Sequence, residues 1–309
     1  MIIGHTGFIG QKLLERIKKK GDQVYLISQR LKNKNKNEFA YDIFANDKWF
    51  KYLTNGMTVF FLAFNNNLYE LEKKKNYINK IANFSYKFNE YLIKNKIKIN
   101  LIFTSTATIY GTTNSNQIIN EKFKDNPISV YDQSKLAFEK IFIRYAKYNY
   151  LNFVSLRLSN IYGNYSSKKQ KNRGFLNKLI IKSVNGDIID IFGNGYNKRS
   201  YVYIDDLIDA LLLSQKKIKK INSKIFLICD NKSYSFNQVV KIISQHLKKK
   251  IKIKKIKYPK LVHKIEKRSF VGNYNYFKKK TGWSPKINFE TGIKKIIKIN
   301  LKTKNENYY

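Results

Sequence analysis

The chain's 309 residues are 43% hydrophobic and 15% aromatic, enough to bury a sizeable core as one large α/β domain or two modest ones. With 61 Lys and Arg against 21 Asp and Glu, the net charge is +40, a balance that raises nucleic acid or an anionic membrane as partners. One cysteine excludes a disulfide framework, three separated histidines give no metal-ligand spacing, and no apolar run nears the roughly 18 residues of a membrane span.

The lysines form no single block. Runs at 18–20, 73–75, 248–250 and 278–280 sit between apolar elements, and Asn, Ile and Tyr are enriched with them, as a genome-wide bias would produce. They read as solvated faces, and no specific nucleic-acid partner is expected. Cys229 ends the apolar run Ile225–Cys229 and reads as a buried strand residue, which suits a reducing compartment. No signal peptide precedes the first motif, so a cytoplasmic protein is expected.

In chain order, Met1-Ile2-Ile3 is the tail of a strand, short because only three residues precede Gly4 or because its beginning lies upstream. Gly4-His5-Thr6-Gly7-Phe8-Ile9-Gly10 follows, then a helical run to Lys20 with apolar Leu13, Leu14 and Ile17. Strand, glycine turn and helix form the context of a dinucleotide-phosphate site, with Gly4, Thr6, Gly7, Phe8, Ile9 and Gly10 around the ligand. A second strand, Gln23–Ile27, ends in Ser28-Gln29-Arg30. An acid at this point would accept from the ribose hydroxyls of NAD; a guanidinium instead favours the 2′-phosphate of NADP. Ser28 and Arg30 are therefore cofactor candidates, as are Asp42 and Ile43, which follow the short strand Phe39–Tyr41 and are placed to cover the adenine. Val59–Phe64 is a buried strand that includes Ala63, also placed at the cofactor. Asn76–Ile93 is helical, with apolar Ile78, Ile81, Phe84, Phe88 and Leu92.

Leu101–Phe103 is a strand that runs into Thr104-Ser105-Thr106-Ala107-Thr108-Ile109-Tyr110-Gly111. Hydroxyls thus crowd a strand's carboxyl end, where open α/β sheets bind ligands. Tyr131-Asp132-Gln133-Ser134-Lys135 opens a helix, with Tyr131 and Lys135 on one face. A phenol titrates near pH 10, and an ammonium one turn away would lower that value and fit the pair for proton transfer. Phe153–Leu158 is a further strand, 166–173 a basic loop, Gly174–Val184 a helix and Asp187–Phe192 a strand. Asp205 or Asp206 suits the N-cap of the helix Leu207–Ser214. Ser235–Leu247 is amphipathic, Ile251–Ile256 a half-exposed strand and Phe289–Ile299 the last helix. This alternation predicts an α/β fold: a Rossmann-type doubly wound parallel sheet over residues 1–160, and a smaller α/β substrate-binding domain formed mainly by 161–309, with some exchange of chain.

Gly4-x-x-Gly7-x-x-Gly10, Thr106 and Tyr131-x-x-x-Lys135, in this order, resemble the extended short-chain dehydrogenase/reductases, and more narrowly the NAD-dependent epimerase/dehydratase family. Leu156–Gly163 matches that family's Arg-x-x-Asn-x-x-Gly segment. Ile191–Asp206 resembles its Gly-x-Gly…Arg-Asp-Phe-Val stretch, and Gly282-Trp283-Ser284-Pro285 with Glu290-Thr291-Gly292 its C-terminal signature. The resemblance implies a nucleotide-sugar substrate and NAD or NADP. Thr106, Tyr131 and Lys135 would be catalytic, Lys135 would also hold the nicotinamide ribose, Asn160 would lie near the diphosphate and Arg199 on it. It also implies a homodimer built on the helices Asn76–Ile93 and Ser134–Asn149.

Two departures narrow the reaction. Family 4,6-dehydratases carry Asp-Glu directly after the catalytic Thr, and UDP-glucuronate decarboxylases carry Glu at the second of these positions. Here Ala107-Thr108 offers no acid. A 4-epimerase remains, for which Thr-Ala-Thr-Ile-Tyr-Gly is a close match, or a 4-keto-sugar reductase, which the missing acid after the second strand favours. A non-catalytic basic protein on the same scaffold, binding nucleic acid or an anionic membrane, is a third reading, which the intact Thr106, Tyr131 and Lys135 oppose.

Overall fold

The computed structural model describes residues 1–19, 21, 23–29, 36–65, 67–74, 76–114, 116–165, 174–258 and 267–306. Arg30 and the basic loop 166–173 lie outside these. The strands are β1 (Ile2–Ile3), β2 (Leu26–Ile27), β3 (Glu38–Phe39), β4 (Thr58–Phe61), β5 (Ile99–Thr106), β6 (Leu151–Leu158), β7 (Asn160–Tyr162), β8 (Ile189–Phe192), β9 (Lys198–Tyr203), β10 (Lys224–Ile228), β11 (Ser233–Ser235) and β12 (Ile253–Ile256). Seven of them form one parallel sheet in the order β10-β6-β5-β4-β1-β2-β3. The order reverses between β1 and β4, and the expected doubly wound sheet is present.

Alternate residues of the central strands enter different cores. Val59 and Phe61, Leu101 and Phe103, and Phe153 face one side. Phe60, Ile102, Val154 and Leu156 face the other. Strands apolar on both faces need helices on both faces. On the first side lie α3 (Tyr77–Lys94) and α4 (Val130–Tyr145). Phe84 and Phe138 meet Phe61, Phe138 stacks on Phe103 and Phe142, and Phe88 meets Phe84 and Phe142; the Phe103–Phe138 and Phe138–Phe142 centroids are each 4.2 Å apart. On the other side lie α1 (Phe8–Lys18) and α6 (Ile204–Lys217), joined at their surface by an Arg16–Asp209 ion pair at 3.1 Å. The short α2 (Leu68–Glu72) anchors the start of α4, because Glu72 Oε1 accepts from the Val130 N–H at 2.8 Å.

The seventh strand, β10, comes from beyond residue 160. β7, β9 and β11 form a second sheet, and β8 and β12 a third. They pack with α5 (Phe175–Asn185), α7 (Phe236–Leu247), α8 (Asn275–Thr281) and α9 (Phe289–Glu306). Ser235 and Gln238 close the capping box that their spacing allows at the head of α7. Asp205 and Asp206 do not cap α6: its N-cap is Tyr203, and both aspartates sit in the first turn. Asp206 instead binds the segment before α9, accepting from the N–H groups of Lys286 and Ile287 at 3.0 Å each, while its carbonyl takes the Trp283 indole at 3.0 Å. Cys229 directly follows β10 and is buried, and desolvation pushes its thiol well above the ordinary value. Among the described residues no helix is long and apolar enough to cross a membrane.

Candidate active site

The glycine turn joins β1 to α1 at the point where the sheet order reverses. Gly4 has φ +90°, and a Cβ there would lie 2.9 Å from the Ala63 nitrogen. A Cβ on Gly10 would lie 2.4 Å from the Gly4 oxygen and 2.6 Å from His5 Cα. Both positions therefore need glycine to bring α1 against the ends of β1 and β4. Gly7 is the N-cap of α1 with no side-chain cap bond, and the first turn carries no acid. The N–H groups of Phe8, Ile9 and Gly10 are the orphan donors of such a helix end, which suits a pyrophosphate. Thr6 Oγ1 meets Ser28 Oγ at 2.7 Å, so the end of β2 is tied to this turn. Asp42 Oδ1 accepts from the Phe44 N–H and Oδ2 lies 3.4 Å from Lys80 Nζ on α3, while Ile43 is buried.

Ser129 caps α4 by accepting from the Asp132 N–H at 3.0 Å. Lys135 of α4, 3% exposed, reaches β5 two residues before Thr106: its Nζ donates to the Thr104 carbonyl at 2.6 Å. The ammonium lies 4.0 Å from the Phe64 ring centroid, 4.6 Å from Phe103 and 5.6 Å from Tyr131. Burial pushes its pKa down to about 7, with Glu139 one turn on acting in the opposite direction. Tyr131 differs from the sequence expectation. Burial pushes the phenol above its ordinary value, Asp132 and Tyr77 add to that, and the charge that pulls it down is Arg268.

Thr106 Oγ1 accepts from the Thr108 N–H at 3.2 Å and meets Thr108 Oγ1 at 2.7 Å. Thr108 Oγ1 donates to Asp132 Oδ1. The other oxygen of Asp132, a fully buried side chain, takes Arg268 Nη1 at 2.8 Å. The residue after the tyrosine is thus linked to the threonine, and the pair is clamped by an arginine 136 positions later. Behind it lies a buried network: Glu139 takes Arg157 Nη2 at 2.7 Å and Ser155 Oγ at 2.7 Å, and Arg157 Nη1 reaches Asp125 at 2.6 Å.

Thr106, Thr108, Asn160, Arg199 and Arg268 line one cavity of about 380 Å³ at the carboxyl ends of β5 and β6. Asn160 Nδ2 donates to the Ser200 carbonyl at 3.3 Å, and Arg199 Nη1 donates to the carbonyls of Lys198 at 3.0 Å and of Arg268. Three residues of this site escaped the sequence reading. Thr108 was one of a cluster of hydroxyls and the place of a missing acid, Asp132 only a residue beside the tyrosine, and Arg268 had no local motif to mark it.

The sequence profile of the NAD dependent epimerase/dehydratase family matches residues 1–229. The chain belongs to that family. It is 30% identical to an uncharacterised protein of Schizosaccharomyces pombe, over 65% of this chain but only 60% of that one. It is 25% identical to an ADP-L-glycero-D-manno-heptose-6-epimerase of Brachyspira hyodysenteriae, over 97% and 96% of the two chains. Among solved structures, a Thermotoga maritima UDP-glucose 4-epimerase with UDP-glucose superposes with a TM-score of 0.84 over 98% of both chains, at 24% identity, a likeness that shows the fold.

Proposed function

We propose that the protein is a nucleotide-sugar epimerase of the 4-epimerase type. The observation that carries this reading is that Thr106, Asn160 and Arg199 line one cavity, while Lys135 bonds the Thr104 carbonyl beside it. NAD or NADP, when bound, supplies a reversible hydride acceptor. The glycine turn holds its pyrophosphate, and Lys135 its ribose. Tyr131 takes the proton from a sugar hydroxyl and returns it, and Thr106 bonds the same oxygen. Arg199 suits the diphosphate because its fork is planar and always charged. Elimination of water is disfavoured, since Ala107 and Thr108 bring no acid and Asp132 is held by Thr108 and Arg268. Ser28-Gln29-Arg30 brings no acid to the ribose and offers a guanidinium for a 2′-phosphate, so NADP is preferred over NAD. The reading extends to a homodimer in a reducing compartment.

The test is product analysis from a panel of nucleotide sugars with NAD, NADP and NADPH. An isomer of unchanged mass is expected. A product two hydrogens heavier, formed only with NADPH, would make the protein a reductase instead.

A further inference from the structure

We infer that Asp132 is a specificity-determining residue: by pairing with Arg268 it leaves the catalytic end of the cavity without net charge, so that the site takes an uncharged sugar and rejects a uronate. The inference rests on the epimerase reading for what fills the cavity, and on the charges around it for the rest.

Among the described residues that line the cavity, Asp190, Arg199 and Arg268 are charged. Asp190 is on β8 and Arg199 on β9. Arg199 donates to the Arg268 carbonyl, so the two arginines meet at the Arg268 backbone, and the Arg268 guanidinium extends onward to the catalytic threonines. Its Nη1 lies 3.4 Å from the Thr108 carbonyl, and the Thr108 hydroxyl is 2.7 Å from that of Thr106. A guanidinium in that place would suit a sugar carboxylate, because its charge is permanent and its fork matches two oxygens.

Asp132 takes that opportunity away. Its Oδ2 accepts from the same Nη1 at 2.8 Å, with the carboxylate fully buried and the Arg268 side chain 10% exposed. The nitrogen that faces Thr108 is thus already held by a carboxylate, and the pair sums to zero. Glucose and glucuronate differ at one carbon, a hydroxymethyl against a carboxylate. The hydroxymethyl loses little on leaving water. The carboxylate would leave water with no net counter-charge, and it would meet the field of Asp132 along with that of Arg268. Rejection of the acidic sugar therefore comes from a repulsive element built into the protein, without a steric block.

The experiment is calorimetry of UDP, UDP-glucose and UDP-glucuronate on the cofactor-loaded protein, with turnover of both sugars measured beside it. The wild type should bind UDP-glucose at least about tenfold tighter than UDP-glucuronate. Asp132→Asn removes the counter-charge at nearly constant volume, and should move the ratio toward glucuronate by about tenfold or more with UDP affinity unchanged. Asp132→Ser removes the same charge and serves where the amide fails to fold. Adding Arg268→Gln should abolish the shift. A displaced Tyr131 affects both sugars alike and cancels in the ratio, so a merely structural role of Asp132 leaves it unmoved. Equal or tighter binding of UDP-glucuronate by the wild type, an unmoved ratio in a folded Asp132 variant, or a shift that survives the double substitution overturns the inference. The expected affinities without turnover of either sugar retire the epimerase reading alone, turnover of UDP-glucose with an unmoved ratio retires this inference alone, and binding of neither sugar overturns both.

Discussion

At the scale of single residues, the tyrosine and lysine separate function from stability. Tyr131→Phe removes one oxygen from a ring that still packs, so the fold should survive. Turnover should fall by at least about a hundredfold, the lower range for general acid–base catalysis. Near-full activity in steady-state kinetics would remove Tyr131 from the acid/base role. Lys135 carries an opposite signature. Its folded pKa, about 7, lies below the ordinary 10.5 of the unfolded chain. Between those values the unfolded chain holds more protons, so stability rises with pH, and below about pH 7 the full cost of burying the charge is present. Lys135→Met should therefore raise the melting temperature of the protein without added cofactor, most below pH 7 and progressively less toward pH 10, while cofactor affinity and turnover are lost. Calorimetry across that range checks it: a lower melting temperature at pH 6 would show that the bond to Thr104 outweighs the desolvation. The tyrosine and lysine were legible because they are one helical turn apart. Asp132 and Arg268 were not, because only the fold brings them together.

At the scale of elements, periodicity located the long helices and central strands well and the outer strands poorly. α3 and α4 carry their aromatic residues on one face, so their pattern is strong. β2 and β3 span only two residues each, where Gln23–Ile27 and Phe39–Tyr41 were expected; they are the last two strands on one side of the sheet, with β3 at its edge. The aspartates before α6 looked like caps by type and position, and the structure uses one of them on a segment 80 residues later. α4 also depends on a buried pair. Arg157 is 2% exposed and Glu139 fully buried. Arg157→Leu should destabilise by about 3–5 kcal/mol, because it leaves a carboxylate without its counter-charge; adding Glu139→Leu should recover part of that loss. Urea melts of the two variants decide it, and a double variant worse than the single one would assign the effect to packing instead.

At the scale of the whole molecule, Tyr86 on α3 is 42% exposed and Tyr148, in the turn after α4, 56% exposed. A homodimer through these helices is expected to show by light scattering at micromolar concentration, and Tyr86→Asp should shift it toward monomer. Persistent monomer in the wild type argues against the pairing. The charge of +40 predicts weak, steeply salt-dependent RNA binding if any, with no competition from dinucleotide.

The placement of β10 has a consequence for biosynthesis. β6 is the apolar edge of an otherwise finished sheet until residues 224–228 arrive to cover it. Translation at roughly 5–20 residues per second leaves that edge open for about 4–14 s after Leu158 is made. An open edge of this kind pairs readily with other chains. Ribosome-bound chains stalled before Lys224 should recruit holding chaperones, and chains stalled well beyond Ile228 should release them.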